Sequence, residues 1–174
     1  MAQRMTEAIH FEDQISRNKI KSFLMILSIF LVFVILGYVI SMVFDPGYFF
    51  VIMILSIIIS ILYIFLSYYN SDKIAIASVR AREAKRTDYG TYHSVVEGLT
   101  VASGLPKPRL YVMQSEQINA FASGRDPKHS VICVTTGCLE KLNKDELEGV
   151  LAHELSHIAN YDIRFMTVAS VMVG

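Results

Sequence analysis

The chain has 174 residues, no formal net charge at pH 7 and 53% hydrophobic residues. That balance argues against a nucleic-acid partner, which selects for a basic excess. The two cysteines, Cys133 and Cys138, make one loose pair where a zinc ribbon needs two close ones, so they read as small apolar residues.

In chain order, residues 1–22 read as a cytoplasmic N-terminal segment. Between Lys21 and Asp72 the only charged residue is Asp45. Phe23 to Phe44 and Tyr48 to Tyr69 are apolar runs, each about 33 Å long as a helix and able to cross a bilayer core. Asp45-Pro46-Gly47 between them is a turn sequence. Residues 23–69 therefore read as a transmembrane helical hairpin, with the lipid bilayer as a partner. A pair of buried globular helices would need a soluble core that the chain is too short to supply. A cleaved signal peptide would need a shorter run and a small-residue cleavage site. Gly37 with Ser41, and Ser56 with Ser60, are small-xxx-small pairs that could pack the two helices. Arg17, Lys19 and Lys21 precede the hairpin. Lys73, Arg80, Arg82, Lys85 and Arg86 follow it, and the turn has no Lys or Arg. The positive-inside rule then places both ends in the cytoplasm, as in a multi-pass inner (plasma) membrane protein.

Residues 71–162 read as the domain outside the membrane. Ile74 to Val79 is expected to be a short strand, and Arg80 to Arg86 a solvated charged stretch. Tyr92, Val95, Val96 and Leu99 predict an amphipathic helix ending near Gly104. Leu105 to Pro108 is a rigid connector. Leu110 to Met113 and Val131 to Thr136 read as strands, with a turn at Gly124 to Pro127. Asn143, with Glu146 three residues on, predicts the capping box of another helix. Its apolar stripe is Leu147, Val150, Leu151, Leu155 and Ile158. Residues 163–174 read as the start of a further hydrophobic segment of the kind that crosses a membrane.

The last of these helices carries the chemistry. His153-Glu154-Leu155-Ser156-His157 is H-E-x-x-H. Residues four apart on a helix lie about 40° from each other around its axis, so both imidazoles can face one zinc ion. Glu154 is placed to act as general base on a water that the metal activates. By chance the pattern turns up roughly once in a few hundred chains of this size. Glu154 also falls inside the apolar stripe, where a carboxylate without a partner is costly. His10, His93 and His129 are isolated and read as surface or loop residues.

The hairpin, Asn119 to Arg125, Val131 to Gly137 and Asp145 to His157 together resemble the HtpX family, membrane-bound zinc endopeptidases of the M48 group. The resemblance implies an α+β fold: a transmembrane hairpin followed by a zincin-like, thermolysin-type domain with a small mixed sheet and an active-site helix. It implies Zn²⁺ as cofactor, His153 and His157 as ligands and Glu154 as the catalytic residue. The substrates it implies are misfolded or damaged membrane proteins. It also implies that Asn119 to Ala122 lies near the site, that Val131 to Thr136 is the edge that pairs with extended substrate, and that Asp162 is a supporting or capping residue. The family's third ligand is a glutamate on a later helix, and no acidic residue or histidine follows Asp162 here. The 174 residues alone are thus expected to be inactive and incomplete. The alternative is a non-catalytic membrane scaffold that keeps the fold. A transporter component would need intramembrane charge. The chain leaves a metal other than zinc open, along with substrate identity and oligomeric state.

Overall fold

The computed structural model describes residues 2–163, with side chains from Ile15 onward. The expected segment 163–174 lies outside the described residues except for Ile163, as does the side chain of His10.

The first helix, α1, runs unbroken over Ala2–Ser41. No Gly or Pro interrupts it before Gly37. Residues 2–22 form the first part of this helix, ahead of the apolar run. Forty residues span about 60 Å, twice the thickness of a bilayer core of about 30 Å. The Asp45 carboxylate accepts the Gly47 N–H (2.8 Å) and starts a short 3₁₀ turn at Pro46. Helix α2, Phe49–Tyr69, then returns alongside α1.

Both helices are long and apolar enough to cross a membrane, and they leave their large side chains exposed: Leu24, Ile35, Phe50 and Ile58 are all more than half accessible. A soluble core helix would bury these groups. The hairpin is held by small residues. Ser56 Oγ, on α2, donates to Phe33 O of α1 at 2.7 Å. A Cβ at Gly37 would collide with that same Ser56 side chain. Ser41 and Ser60 are buried as well. These are the residues of the small-xxx-small pairs.

After Asn70 the chain forms α3, Ser71–Ser78. The expected strand at Ile74 to Val79 is thus a helix through Ser78. Ala75 and Ala77 are strong helix formers, and Asp72 suits the positive end of the first turn. Asp72 is buried and ion-paired with Arg109. Arg125 Nη1 donates to Tyr69 O at 3.1 Å and its guanidinium lies 5.1 Å from the Tyr69 ring. These two arginines tie the sheet to the end of α2.

The sheet has four strands: β1 Arg82–Glu83, β2 Arg109–Met113, β3 Ala120–Gly124 and β4 Ser130–Thr135. Their order is β1-β2-β4-β3. The β2–β4 pair is parallel; the other two are antiparallel. β4 is buried along its whole length and lies in the interior of the sheet. The outer edge on that side is β3. Val131 to Thr136, expected as the edge strand, is therefore central. Its run of small and β-branched residues, Val131, Ile132, Cys133, Val134 and Thr135, suits a strand covered on both faces.

Helix α4, Gly90–Ser103, ends at Gly104, whose φ of 69° is the left-handed stop that glycine tolerates. A short helix, α5 (Thr136–Lys141), leads into α6, Lys144–Ala159. Tyr92 and Val96 from α4, Leu110 and Val112 from β2, Ile132 and Val134 from β4, and Leu147, Leu151, Leu155 and Ile158 from α6 make one core. The Tyr92 hydroxyl donates to Ile132 O at 3.0 Å, so even its polar end is satisfied. The capping box is present: Asn143 Oδ1 accepts the N–H groups of Asp145 and Glu146, both at 3.0 Å, and Glu146 accepts the Asn143 N–H at 2.9 Å.

Two outcomes follow. Gly37→Leu overpacks the helix contact and should cost about 1–3 kcal/mol, read as a lower unfolding midpoint in detergent and as loss of cysteine cross-linking between α1 and α2. Asn143→Ala removes the α6 cap and should cost about 1 kcal/mol by thermal denaturation, with little change in helical content at 25 °C.

Candidate active site

Burial of Leu147, Leu151, Leu155 and Ile158 fixes how α6 is rotated. His153 is then exposed, while Glu154 and His157 are half-buried. The two imidazoles meet edge to face one turn apart, their ring centroids 4.7 Å apart and their planes at 82°. Their Nε2 atoms are 3.2 Å from each other.

His157 is held from behind. Its Nδ1–H donates to Asp162 Oδ2 at 3.1 Å. A proton fixed on Nδ1 leaves the Nε2 lone pair of the neutral ring pointing at His153. Asp162 can reach back because α6 stops abruptly. Asn160 caps it, and Tyr161 takes a left-handed φ of 60° that turns the chain.

Glu154 faces the edge of the sheet. Asn119 O accepts the Thr135 N–H at 3.0 Å. The alternation of an antiparallel ladder then turns the backbone groups of Ala120 and Ala122 away from β4. The Ala122 N–H donates to Glu154. Burial pushes the Glu154 carboxyl above its usual range, against the opposing pull of the two imidazoles and of this N–H. The entry to β3 is fixed by Thr135. Its Oγ1 donates to Gln117 O at 2.6 Å and accepts the N–H groups of Asn119 and Cys138, each at 3.1 Å.

The donor set fits a zinc ion. Two tetrahedral nitrogen ligands at about 2.0–2.1 Å from zinc lie about 3.3 Å from each other, close to the observed 3.2 Å. Imidazole is a favoured zinc donor, and the carboxylate behind His157 is the outer partner such ligands commonly have. Among the described residues no group of three His, Cys, Asp or Glu is arranged to hold a metal.

The structure thus brings together His153, Glu154, His157 and Asp162, and sets Ala122 of β3 against Glu154. The other described histidines are elsewhere. The His93 ring lies 2.6 Å from Ala84 O and that of His129 2.8 Å from Asp126. Sequence reasoning missed the Ala122 N–H, since a backbone donor leaves no side-chain signature. It also missed Asn18 of α1, which hydrogen-bonds Asp162 from 144 residues away. Cys133 and Cys138 are buried free thiols, as expected of small apolar residues, and burial pushes the Cys133 thiol up to about 12.

The family model for "Peptidase family M48" matches residues 86–173. A "Protease HtpX homolog" of Thermoanaerobacter pseudethanolicus is 43% identical over 159 residues, covering 91% of this chain and 52% of the relative. One from Caldanaerobacter subterraneus is 43% identical over 170 residues, covering 98% and 56%. One from Streptococcus thermophilus is 38% identical over 162 residues, covering 93% and 54%. The chain spans about half the length of these curated relatives. With two long apolar helices, a small mixed sheet and an H-E-x-x-H helix in one polypeptide, the chain belongs to peptidase family M48 and, within it, to the HtpX family.

Proposed function

We propose that this chain contributes the metal-binding helix and general base of a membrane-embedded zinc endopeptidase with a zincin-like domain. One observation carries the reading. Two imidazole Nε2 atoms converge to 3.2 Å beside a half-buried carboxylate, at the outer edge of a sheet. Nothing in core packing calls for that arrangement, because a half-buried carboxylate and two facing imidazoles are both costly without a task.

His153 and His157 would hold the ion through Nε2. When bound, zinc would supply Lewis-acid polarisation of a peptide carbonyl and acidify a water molecule. Glu154 is one residue from the first ligand. Its ionised carboxylate takes a proton from the attacking water and returns it to the leaving amine. The Ala122 N–H holds that carboxylate at the strand edge. Asp162 keeps the His157 proton on Nδ1. One further protein donor is needed for a closed three-ligand set, and the family resemblance puts a glutamate in that role on a later helix. With only two imidazoles the 174 residues alone should hold zinc weakly and show no peptidase activity.

The outer edge of β3, in place of β4, is the proposed docking strand. Pairing along a strand edge recognises main chain, so unfolded segments of many sequences qualify. This favours misfolded membrane proteins as substrates, the quality-control role the resemblance implies. The N-terminal part of α1 touches the end of α6 through Lys19 and Tyr161. The turn of α1 around Lys19 and the sheet therefore lie at the same end of the apolar hairpin. The basic residues at that end support a cytoplasmic placement.

The second reading is a scaffold, favoured by the lack of a third donor among the described residues. Glu154→Gln separates the two. In the enzyme it should lower kcat/KM on an unfolded protein substrate at least about 10²-fold with zinc retained. A scaffold's activity in cells would not change. The same variant has a pH signature. A carboxyl whose folded pKa is raised contributes stability at low pH that is lost as pH rises through that pKa. In the metal-free protein, Glu154→Gln should therefore melt above wild type at pH 7, the difference closing as pH falls below the ordinary glutamate range.

A further inference from the structure

The first membrane helix reaches into the site. Asn18 stands on α1 roughly 8 Å, or one and a half turns, before the apolar run that begins at Phe23. Its amide nitrogen donates to Asp162 Oδ1. The same nitrogen donates to Asn160 O at 3.3 Å. Both amide hydrogens are therefore used, one on each side of the left-handed Tyr161. The adjacent Lys19 ammonium lies 4.9 Å from the Tyr161 ring centroid. Asp162 gives its other oxygen to His157 Nδ1 at 3.1 Å. A continuous chain of hydrogen bonds thus runs from α1 through a carboxylate to an imidazole whose far nitrogen faces His153.

We propose that Asn18 is a positioning residue for the metal site, fixing Asp162 and through it His157. The inference rests on the metal-site reading above. The chemistry of the amide suits the task. An Arg or Lys here would neutralise the carboxylate and weaken its pull on the imidazole proton. A neutral donor fixes the carboxylate in place and leaves its charge for His157. The left-handed turn at Tyr161 is a costly backbone for a bulky residue. Two contacts from α1, at Asn160 O and at the Tyr161 ring, hold it. Seating of the membrane helix against the end of α6 then decides how well His157 is aimed.

The test is zinc affinity of the intact protein in lipid nanodiscs, measured by chelator competition, for wild type and for Asn18→Ala, Asp162→Ala, the double variant and His157→Ala. Loss of a partner in the outer shell of a zinc ligand typically weakens binding about 10–100-fold. Asn18→Ala should raise the zinc Kd about tenfold, with occupancy restored at saturating zinc. Because Asn18 acts through Asp162, the double variant should bind no more weakly than Asp162→Ala alone. If Asn18→Ala unfolds by circular dichroism, Asn18→Leu, which fills similar space without the donors, takes its place. A Kd within twofold of wild type in the folded variant overturns the role of Asn18. Fully additive effects overturn the route through Asp162. A wild-type protein that binds no zinc, or a His157→Ala protein that binds it equally well, sinks the metal-site reading and this inference with it.

Discussion

The rotation of α6 about its own axis is the constraint on which the site depends. Leu147, Leu151, Leu155 and Ile158 are all nearly or fully buried, each contributing roughly 1.5–3 kcal/mol relative to exposure. Turning the helix far enough to redirect the imidazoles would pull that stripe out of the core. The direction of His153, Glu154 and His157 is therefore set by residues that do no chemistry. The cap at Asn143 fixes where the helix begins, and the left-handed Tyr161 fixes where it ends.

The site is also a place where local stability is given up. Glu154 is half-buried, and burial makes its ionised form costly. The Ala122 N–H and the imidazoles offset part of that cost. A carboxylate kept basic by its surroundings, yet fixed by one backbone donor, is suited to taking a proton and giving it back. The edge position of β3 makes this possible. An interior strand has no outward N–H to offer, whereas β3 turns alternate amides away from β4.

The two long helices, α3 and the rest of the fold are joined at several places by polar contacts, each with a different partner. Arg109 meets the buried Asp72 just past α2, Arg125 holds the last residue of α2, and Asn18 reaches the end of α6. Charged groups at such a junction retain some solvent, which lowers the desolvation cost of pairing. Together these contacts fix the height of the site above the apolar part of the hairpin.

Sequence alone determined the hairpin, the helix ending at Gly104, the strands near 110 and 131, the capping box and the H-E-x-x-H face. These depend on local signals: run length, period, turn residues and spacing along one helix. It misjudged Ile74 to Val79, where two isoleucines suggested a strand and the intervening alanines decided a helix. It made β4 the edge, because strand order depends on pairing between distant segments and no local pattern encodes it. Ala120 to Gly124, small and poor in β-branched residues, becomes a strand only because β4 offers a ladder. The partners of Glu154 and of Asp162 were likewise decided in three dimensions. A backbone N–H and an asparagine 144 residues away become neighbours only when the chain closes on itself.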